Sequence, residues 1–245
     1  MSYRKPVDQR LLVGIAGVPA SGKSTLAQMI IDHVNRKWQE RFNIAEVAVV
    51  VGLDGWHLSR AQLDAMPDPK LAHDRRGAHW TFDGESYVKF MRELQKVPAS
   101  TTIPETDASI VYAPSFSHEL KDPTPLAVAI HPKHRLVVIE GLYTYLGISP
   151  WNEAGEMLDE RWWVEIGEEE AEKRLVLRHV RSGVAKDHPE AVWRARENDA
   201  PSKCSGGQPR STNQIENILD GRFVKENMLK PTRVIQSVED PVLQQ

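Results

Sequence analysis

The sequence predicts an α/β protein built on a doubly wound parallel sheet. Three observations carry that expectation. Residues 11–16 (LLVGIA) form a short apolar run that leads straight into a glycine-rich loop and then a helical pattern. Two further runs, residues 47–51 (VAVVV) and 136–139 (LVVI), are continuous, apolar and largely β-branched, as strands covered on both faces are. Helical spacings recur between the strand candidates, which is the alternation of an α/β domain.

Taken in order, the first strand is followed by a helix over residues 24–42, where Leu26, Ile30, Ile31, Val34 and Trp38 recur at near-helical intervals. Helical patterns follow at residues 58–66, 84–96, 168–181, 189–197 and 213–228, and weaker strands at 162–166 and 233–235. Two stretches break the alternation. Residues 97–134 are rich in proline, threonine and histidine, and their extended pieces predict an inserted hairpin or lobe on the substrate side. Residues 200–210 (APSKCSGGQPR) form a polar Gly/Pro/Ser loop, and residues 168–210 together read as a lid region within one domain of 1–245.

Composition narrows the function. The chain has 245 residues, 40% hydrophobic and 27% charged, which suits a globular protein with a core large enough to need no disulfide or metal staple. A formal charge of −3 without a basic run disfavours nucleic-acid binding. No apolar run approaches the roughly 20 residues of a membrane span, so the expected compartment is the cytoplasm and no membrane partner is expected. The single cysteine, Cys204, excludes an intrachain disulfide. The histidines lack the spacing of a zinc helix and are read as surface or packing residues, His57 excepted. Among the tryptophans, Trp56 and Trp80 are the candidates to line a pocket.

The chemistry sits in four motifs. Residues 17–24 read G-V-P-A-S-G-K-S and match the phosphate-binding loop G-x-x-x-x-G-K-[ST] at every fixed position. A chance match somewhere in a chain this long has a probability on the order of 1%, so the motif carries weight. Gly17 and Gly22 permit backbone conformations that turn successive amides toward phosphate oxygens, with Val18, Pro19, Ala20 and Ser21 between them. The following helix adds its positive end. Lys23 can reach the outer phosphates, and the hydroxyl of Ser24, with Thr25 beside it, can ligate Mg²⁺.

The second motif, L-D-G-W-H at residues 53–57, follows a strand, so Asp54 is expected beyond its carboxyl end, where a carboxylate can take the proton of an attacking hydroxyl. Third, V-V-I-E-G at residues 137–141 ends another strand with Glu140, placed to hold Mg²⁺ or its water. Fourth, Arg174, Arg178 and Arg181 fall close to one face of a helix, where guanidinium groups can neutralise charge on a transferred phosphoryl.

Together with R-R-G-A-H-W-T-F-D at residues 75–83, these motifs resemble the phosphoribulokinase, uridine kinase and pantothenate kinase superfamily, and most of all its uridine-kinase-like branch. The resemblance runs from about residue 11 to 235. It implies a nucleoside-monophosphate-kinase-like fold with a helical lid, and Mg-ATP as phosphoryl donor. It implies Asp54 as general base, Lys23 and Ser24 on phosphate and Mg²⁺, Glu140 as the acidic strand end, and Arg174 and Arg178 as catalytic lid arginines, with Arg181 on the nucleotide. Asp83 matches the position that holds ribose hydroxyls. Tyr112, Phe116 and His118 lie in a segment loosely similar to the family's pyrimidine-contacting Y-x-F-x-x-H, at a different spacing. His57, Arg75 and Arg76 complete the expected substrate side. The implied acceptor is a nucleoside such as uridine or cytidine; a fructose-like sugar, a pantothenate-type acceptor, or a regulatory protein that hydrolyses ATP slowly stand as alternatives. The expected partners are a nucleotide and a small-molecule substrate, with a homodimer left open.

Overall fold

The computed structural model describes residues 9–97, 99, 106, 109–117, 119–181 and 215–238, with the backbone alone at 178–181 and 215–220. The helix expected at 189–197 and the loop at 200–210 lie outside these residues. Five strands, β1 (Leu11–Gly17), β2 (Ala48–Gly52), β5 (Leu136–Glu140), β6 (Glu160–Glu165) and β7 (Arg233–Gln236), form one sheet in the order β2-β5-β1-β6-β7, every pair parallel. The remaining two, β3 (Val111–Ser117) and β4 (Asp122–Ile130), make an antiparallel hairpin inside the inserted stretch. Both the parallel sheet and the extended insertion match the sequence expectation.

Both sheet faces are covered, which is why the strands carry apolar residues without alternation. On one face Val13, Ile15, Ala48 and Val138 pack with Ala27 and Ile31 of α1 (Lys23–Phe42). On the other, Leu12, Val51, Val137 and Ile139 pack with Tyr87, Val88, Met91 and Leu94 of α4 (Gly84–Lys96), with Trp151 of α5 (Trp151–Glu156), and with Val224 of α7 (Ile215–Asn227). The helix α6 (Glu168–Arg181) follows β6. Among the described residues no helix is long and apolar enough to cross a membrane.

Two helical readings needed correction. The helix expected at 58–66 is present as the shorter α2 (Arg60–Asp64), and a 3₁₀ turn (Leu53–Trp56) before it and α3 (Pro69–Asp74) after it lie outside the expected range. Ser59 and Gln62 form a reciprocal cap that sets the start of α2 inside the expected range, and Asp68 with Pro69 at the first helical position starts α3, a helix of six residues too short to show a periodicity. Helix α5, only six residues long and containing Gly155, is too short to show a periodicity.

The insertion is anchored at its base by buried polar groups. Arg10, only 4% exposed, donates to the carbonyls of Leu94, Val97, His131 and His134, and burial lowers its pKa to about 10. The His131 amide donates to His134 Nδ1 at 3.0 Å, so Nδ1 must stay unprotonated for the bond to exist. Burial, helped by the positive charges of His131 and Lys133, lowers the His134 pKa to about 4. An unfolded chain, with His134 at its ordinary 6.5, then binds more protons than the folded one between pH 6.5 and 4, and stability falls as pH drops through that window. An asparagine can offer its side-chain oxygen where Nδ1 stands without titrating. We therefore expect His134→Asn to remove up to about 3 kcal/mol of the acid-induced loss, read as urea midpoints at pH 7 and pH 4.5. Equal losses in both proteins would show that His134 does not carry this term.

Candidate functional site

In a parallel sheet the loops that follow each strand gather at one edge, and here that edge collects most of the predicted residues. Strand β1 ends at Gly17, where a Cβ would lie 2.6 Å from Ser21 Oγ and 3.0 Å from the Val164 carbonyl oxygen, so only glycine fits under the loop. The Ser21 amide closes the turn onto the Val18 carbonyl at 3.1 Å. Ala20 and Gly22 both adopt positive φ, 62° and 90°, curling the backbone so that its amides face inward. Gly22 caps α1 without any side-chain hydrogen bond, which leaves the first amides of a 20-residue helix available to an anion.

The side chains of the loop suit phosphate as well. Ser21 is buried, and its hydroxyl has no hydrogen-bond partner among the described residues. Lys23 is half-buried and Ser24 and Thr25 are exposed on the first turn of α1. Among the described residues the Lys23 ammonium is uncommitted, and with the orphaned Ser21 hydroxyl and a row of uncapped amides it forms a cradle complementary to phosphate oxygens.

Strand β5 ends beside this loop. Ile15 and Gly52 are the register partners of Glu140, and the Gly141 amide donates to the Ile15 carbonyl at 3.0 Å. A Cβ on Gly52 would lie 3.7 Å from Glu140 Oε1. A Cβ on Gly141 would come within 2.4 Å of Leu53 Cβ, so the glycine lets the Glu140 strand end press against the turn that carries Asp54. Asp54 itself is exposed on that 3₁₀ turn. Among the described residues no group of three or more His, Cys, Asp or Glu side chains could hold a metal ion by itself. The Ser24 hydroxyl and the Glu140 carboxylate are hard oxygen donors, a sparse set that fits Mg²⁺ sharing its shell with phosphate and water.

Beyond Asp54 the chain is stitched to the residues of the T-F-D motif. The Leu58 amide donates to the Thr81 carbonyl at 2.9 Å, and the Asp83 amide to the Trp56 carbonyl at 2.7 Å. Asp83 caps α4, accepting from the Ser86 amide at 3.0 Å and from its hydroxyl at 2.6 Å. Each carboxylate oxygen keeps a further lone pair for a ligand hydroxyl. Between α4 and the hairpin opens a cleft of about 580 Å³, within the range of small-molecule sites. Trp56, His57, Asp83 and Tyr112 from the sequence prediction line it, joined by Gln62 and Lys89, which sequence reasoning missed. The signal for Lys89 was available: Asp83, Ser86 and Lys89 recur at three-residue spacing on one helix.

Other predicted residues are committed elsewhere. Arg76 donates to the carbonyls of Lys121 and Leu58 and to Asp122, tying the hairpin down, and Phe116 packs its ring on His57. Arg75 is half-buried at the C-terminal end of α3. Trp80 is exposed and is not part of the cleft wall. Arg174 donates to Glu170 and to Ser237 Oγ, both at 2.8 Å. Ser237 follows β7 and lies beside Gly22, where a Cβ would meet its Oγ at 3.8 Å. Arg174 thus reaches the phosphate-loop edge through Ser237, which follows β7 at the same sheet edge. His118, and the side chains of Arg178 and Arg181, lie outside the described residues.

No family model matches the chain. A Schizosaccharomyces pombe protein with the provisional name uridine kinase is 32% identical over 230 residues, 94% of this chain and 84% of that protein. An ATP-dependent kinase-like protein of Aspergillus versicolor is 46% identical over 144 residues, 58% of this chain and 79% of its own length. The crystal structure of Saccharomyces cerevisiae YFH7, provisionally described as a P-loop-containing kinase with a circular permutation, matches with a TM-score of 0.73 at 22% identity, covering 96% of this chain and 94% of that one. That likeness shows the fold.

Proposed function

The chain belongs to the ATP-dependent P-loop kinases related to uridine kinase, and from that membership we propose that it transfers the γ-phosphoryl of Mg-ATP to a hydroxyl of a nucleoside such as uridine or cytidine. It is an ATP-dependent phosphotransferase; the acceptor and the residue roles are the proposal. The observation that carries it is the convergence of the phosphate loop, Asp54 and the Glu140 strand end at one sheet edge, next to a cleft that opens between the Asp54 turn, α4 and the hairpin.

In this reading the loop amides and the Lys23 ammonium hold the outer phosphates, and Ser24 with Glu140 holds Mg²⁺. The metal, when bound, neutralises negative charge building on the bridging oxygens. Asp54 orients the acceptor hydroxyl and takes its proton as the oxygen attacks the γ-phosphorus, while ADP departs on the opposite side. Asp83 accepts from neighbouring hydroxyls, which favours a polyhydroxyl acceptor. Since the transition state is loose and anionic, positioning and charge complementarity supply most of the acceleration.

The test is ADP release by the purified protein with Mg-ATP against uridine, cytidine, fructose and pantothenate. The reading expects stimulation by a nucleoside of at least tenfold over the acceptor-free rate. Stimulation by fructose or pantothenate alone would reassign the acceptor while keeping the reaction. A flat panel with saturable ATP hydrolysis would favour the regulatory alternative.

A further inference from the structure

A chain of contacts links the hairpin to Asp54 in a way the transfer reaction does not by itself require. The Asp54 carbonyl oxygen accepts the His57 amide at 3.2 Å and lies 2.8 Å from His57 Nδ1. A carbonyl oxygen cannot donate, so Nδ1 carries the proton. The imidazole packs against Phe82, with ring centres 3.9 Å apart, and against Phe116 of β3 at 4.9 Å. Phe116 in turn lies 5.6 Å from the Arg76 guanidinium. Arg76 latches the hairpin, donating to the Lys121 carbonyl at 2.6 Å, the Leu58 carbonyl at 2.8 Å and Asp122 Oδ1 at 3.1 Å, with its side chain 14% exposed.

We infer that His57 is a positioning residue for Asp54, and that Arg76 and Phe116 act through it, so that the seating of the hairpin sets the aim of the carboxylate. This rests on the reading of Asp54 as the base. The Asp54 carboxylate is exposed on a four-residue turn and has no side-chain partner of its own among the described residues. Its direction therefore depends on the turn, and the turn is tied at its carbonyl by His57. A displacement of about 1 Å in such a group costs on the order of 10²-fold in rate. The same latch explains why two arginines that look, in sequence, like a substrate clamp include one with every observed bond directed at the hairpin and its neighbouring strap.

Two substitutions separate positioning from substrate contact. His57→Asn places an amide donor where Nδ1 stands and keeps the bond to the Asp54 carbonyl; His57→Gln places its amide where Nε2 stands and loses it. With saturating ATP and whichever acceptor is active, we expect His57→Asn to keep kcat within about 3-fold. His57→Gln and Phe116→Ala should lose about 10- to 100-fold in kcat, with KM for ATP unchanged. Arg76→Lys, which keeps the charge but cannot span three acceptors, should lose kcat by about 5- to 10-fold with the same split. A better Gln than Asn variant, with the acceptor KM moving in place of kcat, would make His57 a substrate contact and overturn the inference, as would equal loss in both or no loss in any. Asp54→Asn is assayed beside them: full activity there overturns the base reading and this inference together, whereas an inactive Asp54→Asn with normal His57, Phe116 and Arg76 variants overturns the positioning role alone.

Discussion

Asp54→Asn is expected to bind ATP as tightly as the native protein and to lose about 10²- to 10⁴-fold in turnover, the range that a positioned general base supplies. The carboxylate takes no part in the fold that a carboxamide could not replace, because it is exposed and the bond at this residue is made by its carbonyl oxygen. Stability should therefore stay within about 0.5 kcal/mol of native, as for other surface substitutions. If Asp54 takes no part in holding the nucleotide or its metal, removing a negative charge near the phosphates leaves nucleotide affinity equal or raises it. The decisive pair of measurements is an ATP dissociation constant and a single-turnover rate with saturating acceptor. Unimpaired turnover would reject Asp54 as the base, and loss of both binding and turnover would mark it as part of the nucleotide site instead.

How far this was legible in the sequence depends on how local the cause is. The phosphate loop is read from residues 17–24 because its geometry is made within eight residues, from glycines, a lysine and the helix that follows. Strand β5 is legible as VVIE because burial on both faces leaves an uninterrupted apolar run. Arg76 shows the limit. Its charge and its neighbour Arg75 suggest an anion clamp, but its acceptors lie 45 and 46 residues further along, on Lys121 and Asp122, and no local pattern announces that pairing. Phe116 is similar: an aromatic in a segment like a base-contacting one turns out to pack on His57, 59 positions earlier, because the hairpin folds back over the Leu53–Trp56 turn. That closeness is set at Gly55, where a Cβ would come within 2.4 Å of the Pro114 carbonyl oxygen. Ser237 is illegible in the sequence for a related reason. A lone serine after a weak strand carries no signal until the strand order β1-β6-β7 brings it round to Gly22.

The other large effect belongs to Lys23. Its side chain has no hydrogen bond or ion pair among the described residues, so no group among them balances its charge, which stands beside the positive end of α1. In the absence of ligand this is an unfavourable arrangement, tolerable because an anion completes it. Lys23→Ala should accordingly leave the melting temperature of the free protein unchanged or slightly higher, since alanine is the best helix former and the repulsion with the helix end is gone. The same substitution should abolish most of the rise in melting temperature that saturating Mg-ATP produces in the native protein, because that rise scales with the logarithm of nucleotide affinity. Turnover should fall about 10²- to 10³-fold, the cost of removing one charge-complementary donor from an anionic transition state. The two readouts move in opposite directions for a single physical reason, which makes them a sharper test than activity alone. A destabilised free protein would mean that Lys23 serves the fold, and an intact nucleotide-dependent rise with normal turnover would overturn the assignment of residues 17–24 as the phosphate site.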